Sequence, residues 1–137
     1  MNTNINNITP FIALAIWCDG EYNDAEKEMT KKLANIYNFD ELTFISSAEK
    51  EINLISAMSG EELDGYLRKT AENVNPNDVG MIFMGVLKII ASDGKFVKNE
   101  ARNLCLLADI LKISQDDVIM IIAGMFEENP DIALFMD

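Results

Sequence analysis

The sequence predicts an all-α fold of about seven helices, and three observations support this. Apolar residues recur three and four positions apart, and sustained two-residue alternation, which is typical of strands, is missing. Pro10, Pro76 and Pro130 each stand beside a predicted helix end. Capping sequences such as Ser59-Gly60-Glu61-Glu62 precede apolar stretches. Together they indicate a compact helical bundle.

The first three helices are predicted from their starts. Thr9 can cap the first helix, over about residues 9–18, with Pro10 at its first position. Asn23 and Glu26 form a capping box that opens the second helix near Asp24. A third helix begins near Asp40.

The last four helices are predicted from capping sequences and apolar patterns as well. The capping box at Ser59 opens a fourth helix that runs to about residue 74. The fifth helix runs over about residues 75–92, and because its face is apolar nearly all round we expect it at the centre. The sixth covers about residues 98–111, the seventh runs from Ser114 to about residue 126, and a last turn after Pro130 is expected to pack back.

The chain contains an internal repeat with an offset of 74 positions, which takes residue 19 to residue 93. Asp19 and Gly20 fall on Asp93 and Gly94, and Glu26 falls on Glu100. The repeated unit has three helices, so the single domain 1–137 is predicted to contain two related halves, at about residues 9–58 and 76–126, joined by the fourth helix.

Composition restricts the classes of function. The 137 residues, with 49% hydrophobic and 25% charged residues, suit one domain that folds without disulfides. A net charge of −12 disfavours nucleic acid and anionic membranes, and it favours cations or basic partner surfaces. Without histidine, Ser-His and Cys-His catalysis are excluded. Cys18 and Cys105 lie in apolar helical stretches and are predicted to be buried free thiols.

The location is predicted to be cytoplasmic, without direct insertion into a membrane. The first 18 residues carry no Lys or Arg, and their short apolar run ends at Asp19 instead of a cleavage site. Uncharged apolar runs fall short of the roughly 20 residues that a membrane-spanning helix needs.

The two Asp-Gly corners allow three interpretations. In the first, the aspartate and the following glutamate hold the bend by accepting bonds from backbone N–H groups. In the second, the first corner binds Ca²⁺, Mg²⁺ or Mn²⁺, because oxygen ligands are dense there. The ligands would be Asp19, Glu21, Asp24 and Glu26. In the third, Asp19 and Glu26 act as a catalytic carboxylate pair, which would need a cleft and separated pKa values.

The twin pattern resembles the TerB-like family, the tellurite-resistance TerB proteins and their relatives. The matching segments are ALAIWCDGEYNDAEKEM and VLKIIASDGKFVKNEARNL, and the likeness covers about residues 9–126. The signature positions that match are Asp19, Gly20, Glu26, Asp93, Gly94 and Glu100. The chain departs from the pattern at Lys95, Val97 and Lys98, which disfavours metal binding by the second corner.

The resemblance implies an all-α fold in two halves and a role in resistance to tellurite or other toxic agents. We therefore expect a non-enzymatic, acidic binding or scaffold module that acts through a protein partner. The alternative is a divalent-cation sensor or sequestering protein that uses the first corner. The sequence leaves the partner and the oligomeric state open.

Methionine is abundant, with eight residues. Several methionines lie at helical spacing in the fifth and seventh helices, including Met81, Met84, Met120 and Met125. Core filling and a methionine-lined partner groove are both consistent with this pattern. The C-terminal residues 133–136 are either a packed turn or a docking tail.

Overall fold

The protein is an all-α bundle, as the sequence predicts. The computed structural model describes residues 3–18, 22–92, 95–128 and 133–135. Within these ranges the seven α-helices are α1 (Thr9–Cys18), α2 (Asp24–Ile36), α3 (Glu41–Ser56), α4 (Gly60–Ala71), α5 (Val79–Ala91), α6 (Lys98–Ile110) and α7 (Gln115–Glu128). Short 3-10 turns, Ile5–Asn7 and Pro76–Asp78, precede α1 and α5. No helix in the described ranges is both long enough and apolar enough to cross a membrane.

Helices α2, α3 and α4 begin where the capping sequences predict, whereas Thr9 lies inside α1 and α5 begins at Val79 instead of near residue 75. Asn23 and Ser59 each form a complete capping box, with Glu26 and Glu62 respectively. The side chain of Asp40 accepts a hydrogen bond from the Thr43 N–H at 3.0 Å and so caps α3. These side chains satisfy N–H groups that have no partner inside the helix.

Helices α2 and α6 end in the same way. Asn38 and Lys112 have positive φ angles of 63° and 60°, and both allow the chain to leave the helix through the left-handed region. The next N–H, of Phe39 or of Ile113, returns to a carbonyl of the last helical turn. Positions 38 and 112 are 74 apart, so this local geometry recurs at the offset seen in the sequence. The boundaries of the two halves remain a prediction.

The core forms around α1 and α5. Six consecutive residues of α1, from Phe11 to Ile16, are buried, because this helix packs against α3 and α5 on different sides. Most of α5 is buried as well, as its nearly continuous apolar sequence predicts. At one end of the core, Phe44 contacts the rings of Tyr37 and Phe39, with centroids 6.0 and 5.9 Å apart.

A buried polar network fixes the N-terminal segment. The carboxylate of Asp78 accepts hydrogen bonds from the Thr3 N–H at 2.9 Å and the Thr3 hydroxyl at 2.6 Å. The same hydroxyl accepts a bond from the Asn75 N–H at 3.0 Å. Residues before α1 are thereby tied to the start of α5.

A short parallel strand pair adds to the bundle without changing its class. Strand β1 (Lys95–Val97) pairs with β2 (Ala133–Phe135), so that Phe96 lies opposite Leu134. Residues 133–135 therefore return to the body of the molecule, in an extended form where a last turn was expected.

The prediction of buried thiols was wrong for Cys105, and the side chain of Cys18 lies outside the described residues. The Cys105 thiol is exposed, because α6 turns that side of its apolar stretch towards solvent. Trp17 belongs to the apolar run of α1 but is 41% exposed at the end of the helix.

Candidate functional site

The first corner uses Glu26 to hold the start of α2. Glu26 is only 2% exposed, and one of its carboxylate oxygens accepts the Asn23 N–H at 3.1 Å. In return the Asn23 side chain accepts the Glu26 N–H at 2.9 Å. The described part of this corner therefore has the bonding of the first interpretation, in which the glutamate holds the bend.

Tyr22 and Lys27 cover this corner. The Tyr22 ring packs against the core, and the Lys27 ammonium lies 5.5 Å from its centroid. Burial raises the pKa of Tyr22, the nearby Thr30 hydroxyl works in the opposite direction, and the charges of Glu49 and Glu26 raise it further. Around Tyr22 and Glu26, the described part of the corner is thus packed and partly desolvated.

The predicted metal ligands are only partly described. Asp19, Gly20 and Glu21 lie outside the described residues. Asp24 is exposed, whereas Glu26 is buried and engaged in its capping box. Within the described ranges, no three carboxylates or thiols come together as a metal-binding group. Cation binding and the carboxylate-pair interpretation both stay predictions.

The second corner falls mainly outside the described residues as well. Asp93 and Gly94 are not described, and Glu100 lies in α6 with its side chain outside the described part. The chain after this corner forms β1, whereas the corresponding stretch after the first corner, at Tyr22 and Asn23, is not a strand. The two corners therefore lead into different local structures.

A cleft of about 610 Å³ lies between α5 and α7, with one contribution from α2. Its floor is the α5 surface around Leu87 and Lys88, and Met120 and Met125 of α7 form one wall. Met29 of α2 closes the other side.

A second lobe of about 400 Å³ continues the cleft along α5 towards the end of α2. The two lobes share Met84, Lys88 and Ile121. We call the continuous depression the methionine cleft. It is lined by apolar side chains of α2, α5 and α7, chiefly Met29, Ile36, Met81, Met84, Met120, Ile121 and Met125, with Lys88 at its centre.

The floor of the second lobe depends on Gly85. The Tyr37 hydroxyl crosses from α2 and donates a hydrogen bond to the Met81 carbonyl at 2.8 Å. A Cβ atom at Gly85 would overlap this hydroxyl, so only glycine leaves room for it. Burial holds the pKa of Tyr37 far above its ordinary value. The hydroxyl is therefore a fixed donor beneath the cleft.

The cleft exposes apolar side chains that a closed core would bury. Met81 and Met84 are 43% and 41% exposed, and Met120 is 72% exposed. Methionine side chains are flexible and polarisable, so they adapt to partners of varied shape. Exposed apolar patches of this kind mark binding sites in soluble proteins.

The cleft exists because α7 packs loosely against α5. The corresponding pair in the first half of the chain, α1 and α3, packs closely. Helices α1 and α3 are the most extensively packed pair, whereas α7 reaches the core mainly through Val118 and Met125 and no described element packs as extensively against it. Helix α1 has Ala13 and Ala15 where α5, 74 positions later, has Leu87 and Ile89. Larger side chains increase the distance between helix axes.

A third depression, of about 570 Å³, lies between α4 and α6. Arg68 lines it and forms salt bridges with Asp64 at 2.9 Å and Asp109 at 3.2 Å. Because these charged groups are exposed and already paired, this surface is a weaker candidate for binding.

The fold and the cleft define a small, acidic, all-α protein with an open apolar groove. Comparisons with protein-family models, with curated proteins and with solved structures gave no match.

The sequence identified part of this site. Its spacing singled out methionines of α5 and α7, and a partner groove was one of the two interpretations. It did not identify Ile36, Lys88 or the contribution of α2, because a single sequence does not show which faces remain uncovered.

Proposed function

We propose that the protein is a non-enzymatic binding module whose methionine cleft receives an apolar helical segment of a protein partner. The observation that carries this proposal is the gap between α5 and α7. It leaves methionines of both helices exposed along a continuous groove. Grooves of this shape and composition suit the apolar face of an amphipathic helix.

The chemistry of the cleft supports binding over catalysis. Of the described residues that line its two lobes, Lys88 alone carries a charge. General acid–base chemistry needs groups with matched pKa values beside the substrate, whereas shape and apolar area suffice for docking a helix.

The TerB-like resemblance supports a place in the cytoplasmic response to tellurite or another toxic agent. The same resemblance motivates the alternative, a protein that binds a divalent cation. The described residues do not form a group of metal ligands that would support it. We therefore keep the partner-binding role as the proposed function.

The test compares paired variants that remove exposed apolar side chains inside and outside the cleft. Met84→Gln/Met120→Gln changes cleft residues that are 41% and 72% exposed. Leu42→Gln/Leu54→Gln is the matched control, because these α3 residues are 77% and 44% exposed and lie outside the cleft. Circular dichroism would establish that both variants fold.

Proteins captured from the host by the wild type should be lost from the cleft variant and retained by the control. A captured protein must then be purified and must bind the wild type with a measurable Kd that the cleft variant weakens at least about tenfold. Equal binding by both variants would refute the proposal.

A host lacking the gene should also become sensitive to tellurite or a related agent, and the cleft variant should fail to restore resistance.

A further inference from the structure

We infer that the cleft selects a helix with basic residues at both ends of its apolar face and a carboxylate near its middle. This inference rests on the proposed function and specifies the chemistry of the partner. It follows from where charges lie around the methionine cleft.

Helix α7 places acids at both ends of its wall. Asp116 and Asp117 lie one turn before the cleft residues Met120 and Ile121, and Glu127 lies one turn after Gly124. All three acids are exposed, and α7 contains no lysine or arginine. Ten residues of helix separate Asp117 from Glu127, which is about 15 Å along the axis.

The middle of the cleft has the opposite charge. Lys88 is half-buried where the two lobes meet, and it forms no salt bridge with a described carboxylate. An apolar occupant would remove water from this ammonium group, which is costly unless the occupant supplies a carboxylate. The centre of the cleft therefore favours a negative group.

The opposite wall orients the occupant. Helix α2 has an exposed Lys32 one turn from Met29 and from Ile36. A docked helix would therefore turn its basic ends towards α7 and away from α2. The floor helix α5 has 13 residues, so it can seat about 20 Å of a partner helix.

The occupant is thus a basic-ended amphipathic helix of a protein partner. A second copy of this chain fits less well, because its net charge of −12 would bring acidic surfaces together. Among its described helices, α7 has acids at both ends, which is the reverse of the required pattern.

The test uses three synthetic 18-residue peptides with the same leucine face, labelled with fluorescein. The first peptide has a pair of lysines at each end and a glutamate at its centre. The two lysine pairs are ten residues apart. The second has glutamates at the ends, and the third has a central lysine. Binding to the full chain is measured by fluorescence anisotropy at low and at physiological salt.

The first peptide should bind best, and reversing its ends should weaken binding about tenfold at low salt, less at physiological salt. Replacing its central glutamate by lysine should weaken binding about five-fold. Lys88→Glu should invert the preference for the central residue, whereas the control Lys69→Glu on α4 should leave it unchanged.

The possible failures are distinguishable. If all three peptides bind equally and Met84→Gln/Met120→Gln weakens them all, the charge selection is refuted and the proposed function stands. If no peptide binds, or the cleft variant binds as the wild type does, the proposed function fails. A doubling of molar mass in light scattering that the cleft variant abolishes would show a second copy in the cleft and would overturn the inference.

Discussion

At the scale of single residues, the capping boxes of Glu26 and Glu62 have the same hydrogen bonds but differ in their exposure to solvent. In both, a glutamate oxygen accepts the N–H of the residue three positions earlier, at 3.1 Å for Glu26 and 3.2 Å for Glu62. Glu26 is buried, whereas Glu62 lies in an exposed turn. A buried hydrogen bond to a charged group contributes more, because water cannot replace it when it is lost.

Replacing Glu26 by alanine should therefore lower the free energy of unfolding by about 2 kcal/mol. The matched change Glu62→Ala should lower it by about 0.5 kcal/mol. Urea denaturation followed by circular dichroism would measure both. Equal losses would contradict the structural role that we assign to the buried carboxylate.

The same variant separates the corner's structural role from metal binding. If Glu26 only holds the bend, millimolar Ca²⁺, Mg²⁺ or Mn²⁺ should leave Tm unchanged. A rise in Tm that Glu26→Ala abolishes would support the cation hypothesis, because a ligand of the native state stabilises it.

At the scale of elements, local sequence determines where helices begin, but distant residues determine how they pack. The starts of α2, α3 and α4 could be predicted because Asn23, Asp40 and Ser59 act within one turn. The exposure of Cys105 and the strand at Ala133–Phe135 could not, because both depend on which surfaces meet.

The contact between α2 and α5 should become weaker when Gly85 gains a side chain. Gly85→Ala forces the Tyr37 hydroxyl from its place and should cost about 2 kcal/mol. Tyr37→Phe removes only one hydrogen bond and should cost about 1 kcal/mol. The double variant should lose less than the sum, because phenylalanine lacks the overlapping oxygen. Strict additivity in urea denaturation would contradict this account.

The N-terminal segment should loosen when Thr3 loses its hydroxyl. Thr3→Val keeps the shape of the side chain but removes the bonds to Asp78 and from Asn75, with an expected cost of about 2 kcal/mol. Thr70→Val is the control, because that hydroxyl bonds the Tyr66 carbonyl of its own helix and does not join two segments of the described chain. Hydrogen exchange should increase before α1 in the first variant alone.

At the scale of the whole molecule, the sequence predicts the amount of apolar surface better than its arrangement. Periodicity identified α5 as a central helix, and its residues Ile82 and Leu87 are fully buried. The same pattern did not show that α7 stands off from α5. That feature depends on how two helices that are distant in sequence pack against each other, so the cleft required a structure.

All three tyrosines of the chain have pKa values raised above the ordinary value of 10.0, chiefly by burial. For Tyr66, the bond to Glu51 and that residue's charge add to the effect of burial. The folded state therefore prefers the protonated phenols. Its advantage is complete below pH 10 and is lost as the pH rises towards the folded-state pKa values.

We therefore expect alkaline unfolding in which tyrosinate appears together with loss of helix. Absorbance at 295 nm and circular dichroism at 222 nm should change together above pH 10, with no tyrosine ionising in the native protein at its ordinary value. Tyr66→Phe should reduce the dependence of stability on pH in this range, because one coupled ionisation is removed. An early rise in absorbance at pH 10 with intact helix would show that the phenols are accessible and would contradict the packing of α2 and α4.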